Sequence, residues 1–255
     1  HVIMEIVAGI VREARSHQYD LLLLTGDDAD SLTKASRGSQ VDALIVMDVS
    51  SDDDRIGALS ELHSPSVLIG LPSGAEPLTC IDFDFEAAGR LAAERLAALG
   101  HTHIGLLGAP AEVLARHTSY AERLAYGFTS AAERLGITAT THACPSGAEA
   151  VGVVSALLEA EPTMTGVLLH NEGALPHVGP ILLDAERAVI ALAPSGLNPS
   201  TQGFVDGIEI PAEEMGAAAT RAILGLLDGA SQQRVQLLAP TLRSQAAPSP
   251  AVSVT

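Results

Sequence analysis

The sequence predicts an α/β fold of the doubly wound, parallel-sheet class, and three observations point to it. Apolar runs of strand length alternate with runs of helical period along nearly all of the 255 residues, separated by short turns rich in Gly and Asp. Residues 80–110, CIDFDFEAAGRLAAERLAALGHTHIGLLGAP, read as strand, helix, strand in one stretch. Apolar residues make up 47% of the chain but aromatics only 3%, with no Trp, so the core must be built from Ala, Leu, Val and Ile. The length suits two α/β lobes, or one large domain, each with a core of its own.

Residues 1–17 predict a helix with Ile3, Ile6, Val7, Ile10, Val11 and Ala14 on one face. A strand over 19–25 ends in the turn Gly26-Asp27-Asp28, and 31–38 is a shorter, polar helix. Residues 41–48 form a buried strand, followed by SSDDD (50–54), which offers a helix cap; a helix over 56–62 and a strand over 65–71 come next. After the strand at 80–83, Asp84 and Glu86 put carboxylates where a helix N-terminus favours negative charge. Leu91, Ala92, Arg95, Leu96 and Leu99 then keep helical spacing, and Gly100 supplies a left-handed stop. Residues 103–108 are a continuous apolar run of the kind buried on both faces of a parallel sheet.

An amphipathic helix covers 119–135 and is closed by Gly136; a strand at 137–142, a helix at 148–160, a strand at 165–170 and a helix at 172–183 follow. A strand at 188–192 leads to the turn Ala193-Pro194-Ser195-Gly196, with a further strand at 204–208. The helix at 211–228 has Pro211 at its first turn, Glu213 and Glu214 behind it, and Gly229 beyond its end. A last strand spans 236–242, and residues 247–255 read as a loose tail. A doubly wound lobe opens on a strand, whereas this chain opens on a helix. Either residues outside this sequence precede it or a strand is truly missing, and we favour the first.

The formal net charge is −17, with 31 acids against 14 bases, of which only Lys34 is a lysine. Nucleic-acid binding rests on basic groups that neutralise phosphates, so these residues do not themselves grip DNA, and any DNA reader is a separate domain. The apolar runs are far shorter than the ~20 residues of a membrane span. No basic-then-apolar leader opens the chain, which reads as cytoplasmic rather than secreted. Cys80 and Cys144 have neither CxxC nor zinc-finger spacing; two reduced thiols are the simplest reading, and a pair remains open.

GxxxxGK[ST], GxGxxG and GxSxG are all absent, so nucleotide cofactors and a nucleophile elbow have no support. The chain reads as a ligand sensor without a cofactor, not as an enzyme. His101 and His103 lie where a helix passes into a strand and suit a turn role better than a metal pair. Asp27-Asp28 and Asp52-Asp53-Asp54 lack the spacing and glycine of a calcium loop, and read as solvated acidic turns.

His170-Asn171-Glu172 is different, because it sits where a buried strand hands over to a helix, the position at which open α/β sheets collect ligands. Asn offers donors and an acceptor to a hydroxyl-rich ligand, or else Asn171 and Glu172 only cap the helix. Arg116, Tyr120 and Arg123 stand ahead of or within the helix at 119–135. There an Arg can fork onto hydroxyls or carboxylates, or pair with Glu112 or Glu122. Asp48 ends the strand at 41–48 and Ser195 lies in the turn after 188–192, and both join the candidate effector set.

Several stretches, in order, resemble the lac-repressor-like (LacI/GalR) transcription regulators. They are EIVAGIVREARSHQYDLLLLTG, QVDALIVMD, SPSVLIGLPSG, the stretch at 80–110, SYAERLAYGFTSAAERLGI, GVLLHNEGALPHV, and IEIPAEEMGAAATRAILGLLDG with LLAPTLR. The resemblance implies a two-lobed fold of periplasmic-binding-protein-like type I. It places residues 1–83 and 209–234 in an N-terminal lobe and residues 84–208 and 235–246 in a C-terminal lobe, with three crossovers.

It further implies an effector-sensing, dimerising domain that takes a small molecule, a sugar or related metabolite, in an interlobe cleft. Hinge closure would modulate operator DNA binding by a separate N-terminal helix-turn-helix domain of a homodimer. The alternative is an exported solute (sugar)-binding protein. Carried over by residue, Asn171 with Glu172 matches the family's Asn-Asp effector pair. His1 falls where the family often places aromatic ligand contacts, so stacking on a sugar ring is weakened. Leu124 stands where the family's effector-binding Arg precedes the Gly127-Phe128 step, with Arg123 one residue earlier. Pro194 and Ser195 replace an expected aspartate.

Overall fold

The computed structural model describes residues 2–24, 26, 28–38, 40–194 and 206–244. In chain order the first elements are α1 (Val2–Ser16), α2 (Ala29–Arg37), β1 (Leu44–Val46), α3 (Arg55–Glu61), β2 (Ser66–Ile69) and β3 (Thr79–Phe83). Next come α4 (Phe85–Ala98), β4 (His103–Leu107), α5 (Ala111–Ala115), α6 (Ser119–Leu135) and β5 (Thr138–His142). A 3₁₀ turn at Gly147–Glu149 leads into α7 (Ala150–Ala160), then β6 (Gly166–Leu169), α8 (Leu175–Asp184) and β7 (Ala188–Pro194). The last elements are β8 (Asp206–Ile210), α9 (Ala212–Leu227), β9 (Val235–Leu238) and β10 (Leu242–Ser244).

The chain divides into two compact units, each with its own sheet. The first comprises His1–Ala87, Glu112–Leu124 and Ile210–Ala239, around a sheet of order β1-β2-β3-β9 whose pairings are all parallel. Every residue of β2 and β3 is buried, as continuous apolar strands of a covered parallel sheet should be. Helix α1 lies on α9 at backbone contact. A Cβ built on Gly9 would stand 2.0 Å from the Glu213 carbonyl oxygen, and one on Gly216 would stand 2.1 Å from that of Ile6. Two glycines therefore set the approach of these helices. Asp28 caps α2, its carboxylate accepting from the Ser31 amide at 2.8 Å.

The second unit comprises Ala88–Ala111, Ala125–Glu209 and Pro240–Thr255, with sheet order β10-β8-β7-β6-β4-β5. Its β4–β5, β4–β6 and β6–β7 pairings are parallel and β8–β10 is antiparallel. One core cluster joins Leu107, Val154, Met164, Leu169, Val178 and Val189, and Phe128 of α6 is fully buried in the same unit. Gly100 and Gly136 end α4 and α6 at φ 93° and 69°, the left-handed stops predicted for them.

Four elements differ from expectation. The strand predicted at 19–25 forms no ladder over its described residues, and Leu21, Leu22 and Leu23 are 43%, 52% and 63% exposed. Its residues have strand character, but a strand exists only against a partner edge, and among the described residues none pairs with it. The predicted strand at 41–48 shrinks to Leu44–Val46, which among the described residues pairs with Ser66–Leu68. The helix predicted from 172 begins at Leu175, because the backbone amides of Ala174 and Leu175 first turn onto the Asn171 carbonyl.

The single strand predicted at 236–242 is cut in two. Pro240 has no N–H for a ladder, β9 pairs with β3 in the first unit, and β10 pairs with β8 in the second. So 235–238, which the resemblance assigns to the C-terminal lobe, packs in the first unit. Residues 112–124 do likewise, held there by a Ser50–Thr118 bridge and the Ser119 amide on the Val49 carbonyl.

Candidate functional site

On the first unit the candidates gather where β1 and β3 end and α6 begins. Asp48 takes φ 53°, uncommon for a non-glycine residue, and its carboxylate accepts from Arg116 at 2.9 Å, with both side chains about half exposed. Just behind, Arg55 forks onto Asp53 through Nε at 2.8 Å and NH2 at 2.7 Å, and NH2 also donates to the Asp48 carbonyl at 3.0 Å. The acidic turn at 52–54 is not fully solvated as its sequence suggests, because the Asp53 side chain is only 5% exposed. The missed signal was Asp-x-Arg spacing, in which the Arg backbone N–H and guanidinium converge on one carboxylate.

Tyr120 packs on Phe85 with ring centroids 5.3 Å apart, and Phe85 meets Phe83 edge-on at 5.0 Å, three of the chain's few aromatics in one cluster. Arg123 does not point to an unclaimed space. Its NH1 donates to Asp82 at 2.6 Å and its NH2 lies 3.7 Å from Asp84, with the Arg123 side chain 16% exposed. Asp82 was not foreseen as an ionisable partner, since it sits within an otherwise apolar strand. Burial pushes its carboxyl up to about 6 against the pull of Arg123. Nearby, Glu122 accepts from Ser51 and from His117, which holds its carboxyl below the usual range.

On the second unit, Asn171 is buried and its amide is already engaged. Nδ2 donates to the Cys144 carbonyl at 2.6 Å, while Oδ1 accepts from the Gly173 amide at 3.0 Å and the Ser146 hydroxyl at 3.3 Å. Both its N–H groups and both lone pairs cannot go to a ligand, and one N–H remains. The side chain ties the β6–α8 turn to the segment after β5, a link repeated by the Gly147 amide on the Gly173 carbonyl. Beside it, desolvation lowers the His170 imidazole to about 4, against the opposing pull of Glu172, so it is neutral at physiological pH.

The structure thus brings together Asp48 with Arg116, Tyr120 with Phe85, and His170 with Asn171 and Glu172, each set within one unit. His1 and Ser195 lie outside the described residues. His101 and His103 bond different threonines, Thr165 and Thr163, each at 2.9 Å, and do not converge on a shared point. Cys80 and Cys144 are free buried thiols, one in each unit, and burial pushes both up to about 11. No described helix is long and apolar enough to cross a membrane.

Two wound α/β units define a fold class rather than a chemistry. Residues 3–176 match the family model described as periplasmic binding proteins and sugar binding domain of LacI family, and the chain belongs to that family. Over 109 residues, 42% of the chain and 32% of the relative, it is 36% identical to the HTH-type transcriptional regulator RafR of Escherichia coli. That match spans about a third of the relative's length.

Among solved structures, a LacI family transcriptional regulator from Bifidobacterium animalis subsp. lactis DSM 10140 superposes with a TM-score of 0.83 at 21% identity, covering 97% of this chain and 94% of that one. The transcriptional regulator CelR in complex with cellobiose does so with a TM-score of 0.77 at 20% identity, over 96% and 79%. These two likenesses establish the shared two-unit fold.

Proposed function

We propose that this chain is the effector-sensing and dimerisation domain of a cytoplasmic transcriptional regulator. It takes a small molecule, a sugar or related metabolite, and so modulates operator binding by a separate DNA-binding domain. The family match, joined to 36% identity with an HTH-type regulator, carries the reading. The formal charge of −17 supports a division of labour in which these residues sense and others hold DNA. Candidate contacts are Asp48, Arg116 and Tyr120 on the first unit and His170, Asn171 and Glu172 on the second. Arg123 enters as a positioning residue for Asp82 and Asp84. The same family description covers periplasmic binding proteins, so an exported solute-binding protein is the alternative; the regulator relative favours sensing.

A melting-temperature screen against mono- and disaccharides, sugar phosphates and nucleosides tests the reading through ligand linkage. One class should raise the midpoint saturably, and Arg116→Ala should remove that rise while leaving the ligand-free midpoint unchanged, because its ion pair is half exposed. A folded sample that no compound stabilises, or an Arg116→Ala variant responding like the parent, would count against this assignment.

A further inference from the structure

Arg55, Arg116 and Arg123 stand about the strand ends of the first unit, and each already faces a carboxylate. Arg55 forks onto Asp53 and Arg123 holds Asp82, and in both pairs the acid is buried. An anionic ligand that took either arginine would strand a buried carboxylate, which is costly to leave unmatched. Arg116 differs. Its side chain is 55% exposed, against 13% for Arg55 and 16% for Arg123, and its partner Asp48 is 45% exposed. Arg116 with Asp48 is therefore the pair of this set that an incoming molecule can reach.

The backbone that carries Asp48 is fixed. The residue sits at φ 53°, its carbonyl accepts from Arg55 at 3.0 Å, and Ser50 bridges to Thr118 two residues on. The Ser51 amide ties the same loop to the His117 carbonyl at 2.8 Å. The Asp48 carboxylate can thus retreat from Arg116 by no more than a change of its own rotamer. Glu122 lies in the same corner and accepts from Ser51 and His117, bonds that hold its carboxyl below the usual range and keep it anionic at neutral pH.

We infer that Asp48 sets the charge preference of this site: paired with Arg116, it admits neutral, hydroxyl-bearing molecules and turns away phosphorylated and carboxylated ones. The inference rests on the effector-sensing reading above and narrows it. One hydroxyl of a diol donates to the Asp48 carboxylate while its neighbour accepts from the Arg116 guanidinium, so the ligand fits without upsetting the charge balance of the pair. A phosphate or carboxylate also suits a guanidinium fork. Here, however, it must lie against Asp48 with Glu122 close by, and like charges repel it. The selectivity comes from a carboxylate set against the wrong ligands, with the arginine common to both cases.

The test compares the parent with Asp48→Asn, in which an amide of the same shape replaces the carboxylate. Asn tolerates a positive φ, so the turn persists. Glucose 6-phosphate and inorganic phosphate are titrated onto each protein at constant ionic strength and followed by calorimetry and melting temperature. The parent should give no saturable response. Asp48→Asn should bind both probes at least tenfold more tightly than the parent, and adding Arg116→Ala should abolish the gain. Asp54→Asn is the control, since Asp54 is exposed, makes no side-chain cap bond and undergoes the same change of net charge. It should leave phosphate binding as it is in the parent. A parent that binds glucose 6-phosphate as tightly as Asp48→Asn does would overturn the inference. So would a folded Asp48→Asn that gains nothing, or an equal gain in Asp54→Asn, which would make net charge alone the cause. Failure of neutral sugars and nucleosides to stabilise the parent would sink the sensor reading instead, and the phosphate titrations would still decide what Asp48 does.

Discussion

Arg123→Ala is the perturbation whose consequence is best defined. In the native chain Asp82 is 2% exposed and its only described cation within bonding distance is Arg123, at 2.6 Å. Its carboxyl is nonetheless pushed up to about 6, because desolvation outweighs that attraction. At ~1.36 kcal/mol per pKa unit, a rise from 3.8 to about 6 corresponds to roughly 3 kcal/mol of differential stability between the two protonation states. A folded pKa above the unfolded value means that the native state holds a proton the unfolded state has lost. The stability this contributes is complete below about pH 4 and is lost as pH rises through about 6.

Removing Arg123 takes away the largest influence favouring the anion, so the window of loss extends to higher pH. The cost of breaking one partner of a buried pair, about 3–5 kcal/mol, should therefore appear near pH 8 and shrink by a large fraction near pH 5. Urea unfolding of parent and variant at both pH values measures it. A loss of the same size at pH 5 and pH 8 would show that Asp82 is not the group that Arg123 serves.

Gly216→Ala places a methyl 2.1 Å from the Ile6 carbonyl oxygen, so α1 and α9 must part, and urea unfolding should report a loss of about 1–3 kcal/mol. Gly57→Ala in α3, with nothing within 4 Å of the new methyl, should instead gain about 0.4–1 kcal/mol in the same assay. Asn171→Ala should cost about 1–3 kcal/mol through the stranded Cys144 carbonyl and Gly173 amide, with faster exchange at Gly173. Asp28→Ala should melt lower than the parent at neutral pH. The Ser31 bonds hold that carboxyl below the usual range, so the stability it adds is present above that range, and the gap should close as pH falls through it.

Much of this fold was legible because its signals are local. Asp84 caps α4, Gly100 ends it, and β4 follows, as the wording of 80–110 predicted. Two departures concern pairing. Residues 19–24 have strand composition but find no partner among the described residues, whereas 236–242 breaks at Pro240, a signal the sequence did carry; which sheet edge each half then joins is not a local property. The candidate site was half legible for a similar reason. The placement of Asn171 at a strand end was predictable, whereas the spending of its amide on Cys144, 27 residues back, was not. Arg123 drew notice as a cation near a strand end, yet the carboxylate that claims it, Asp82, lies 41 residues away in an apolar strand.

The first unit is assembled from three separate stretches, and the last of them, Ile210–Ala239, supplies both α9 and β9. On a ribosome this order has a cost in time. With synthesis at roughly 5–20 residues per second, over 120 residues separate Ala87 from Ile210, an interval of several seconds or more. Throughout it, the apolar stripe of α1 and the outer edge of β3 lack their partners, while every described strand of the second unit except β10 is already out by the time β8 emerges. The nascent chain therefore carries those apolar surfaces uncovered for that interval, and the first unit closes only once 210–239 has been made.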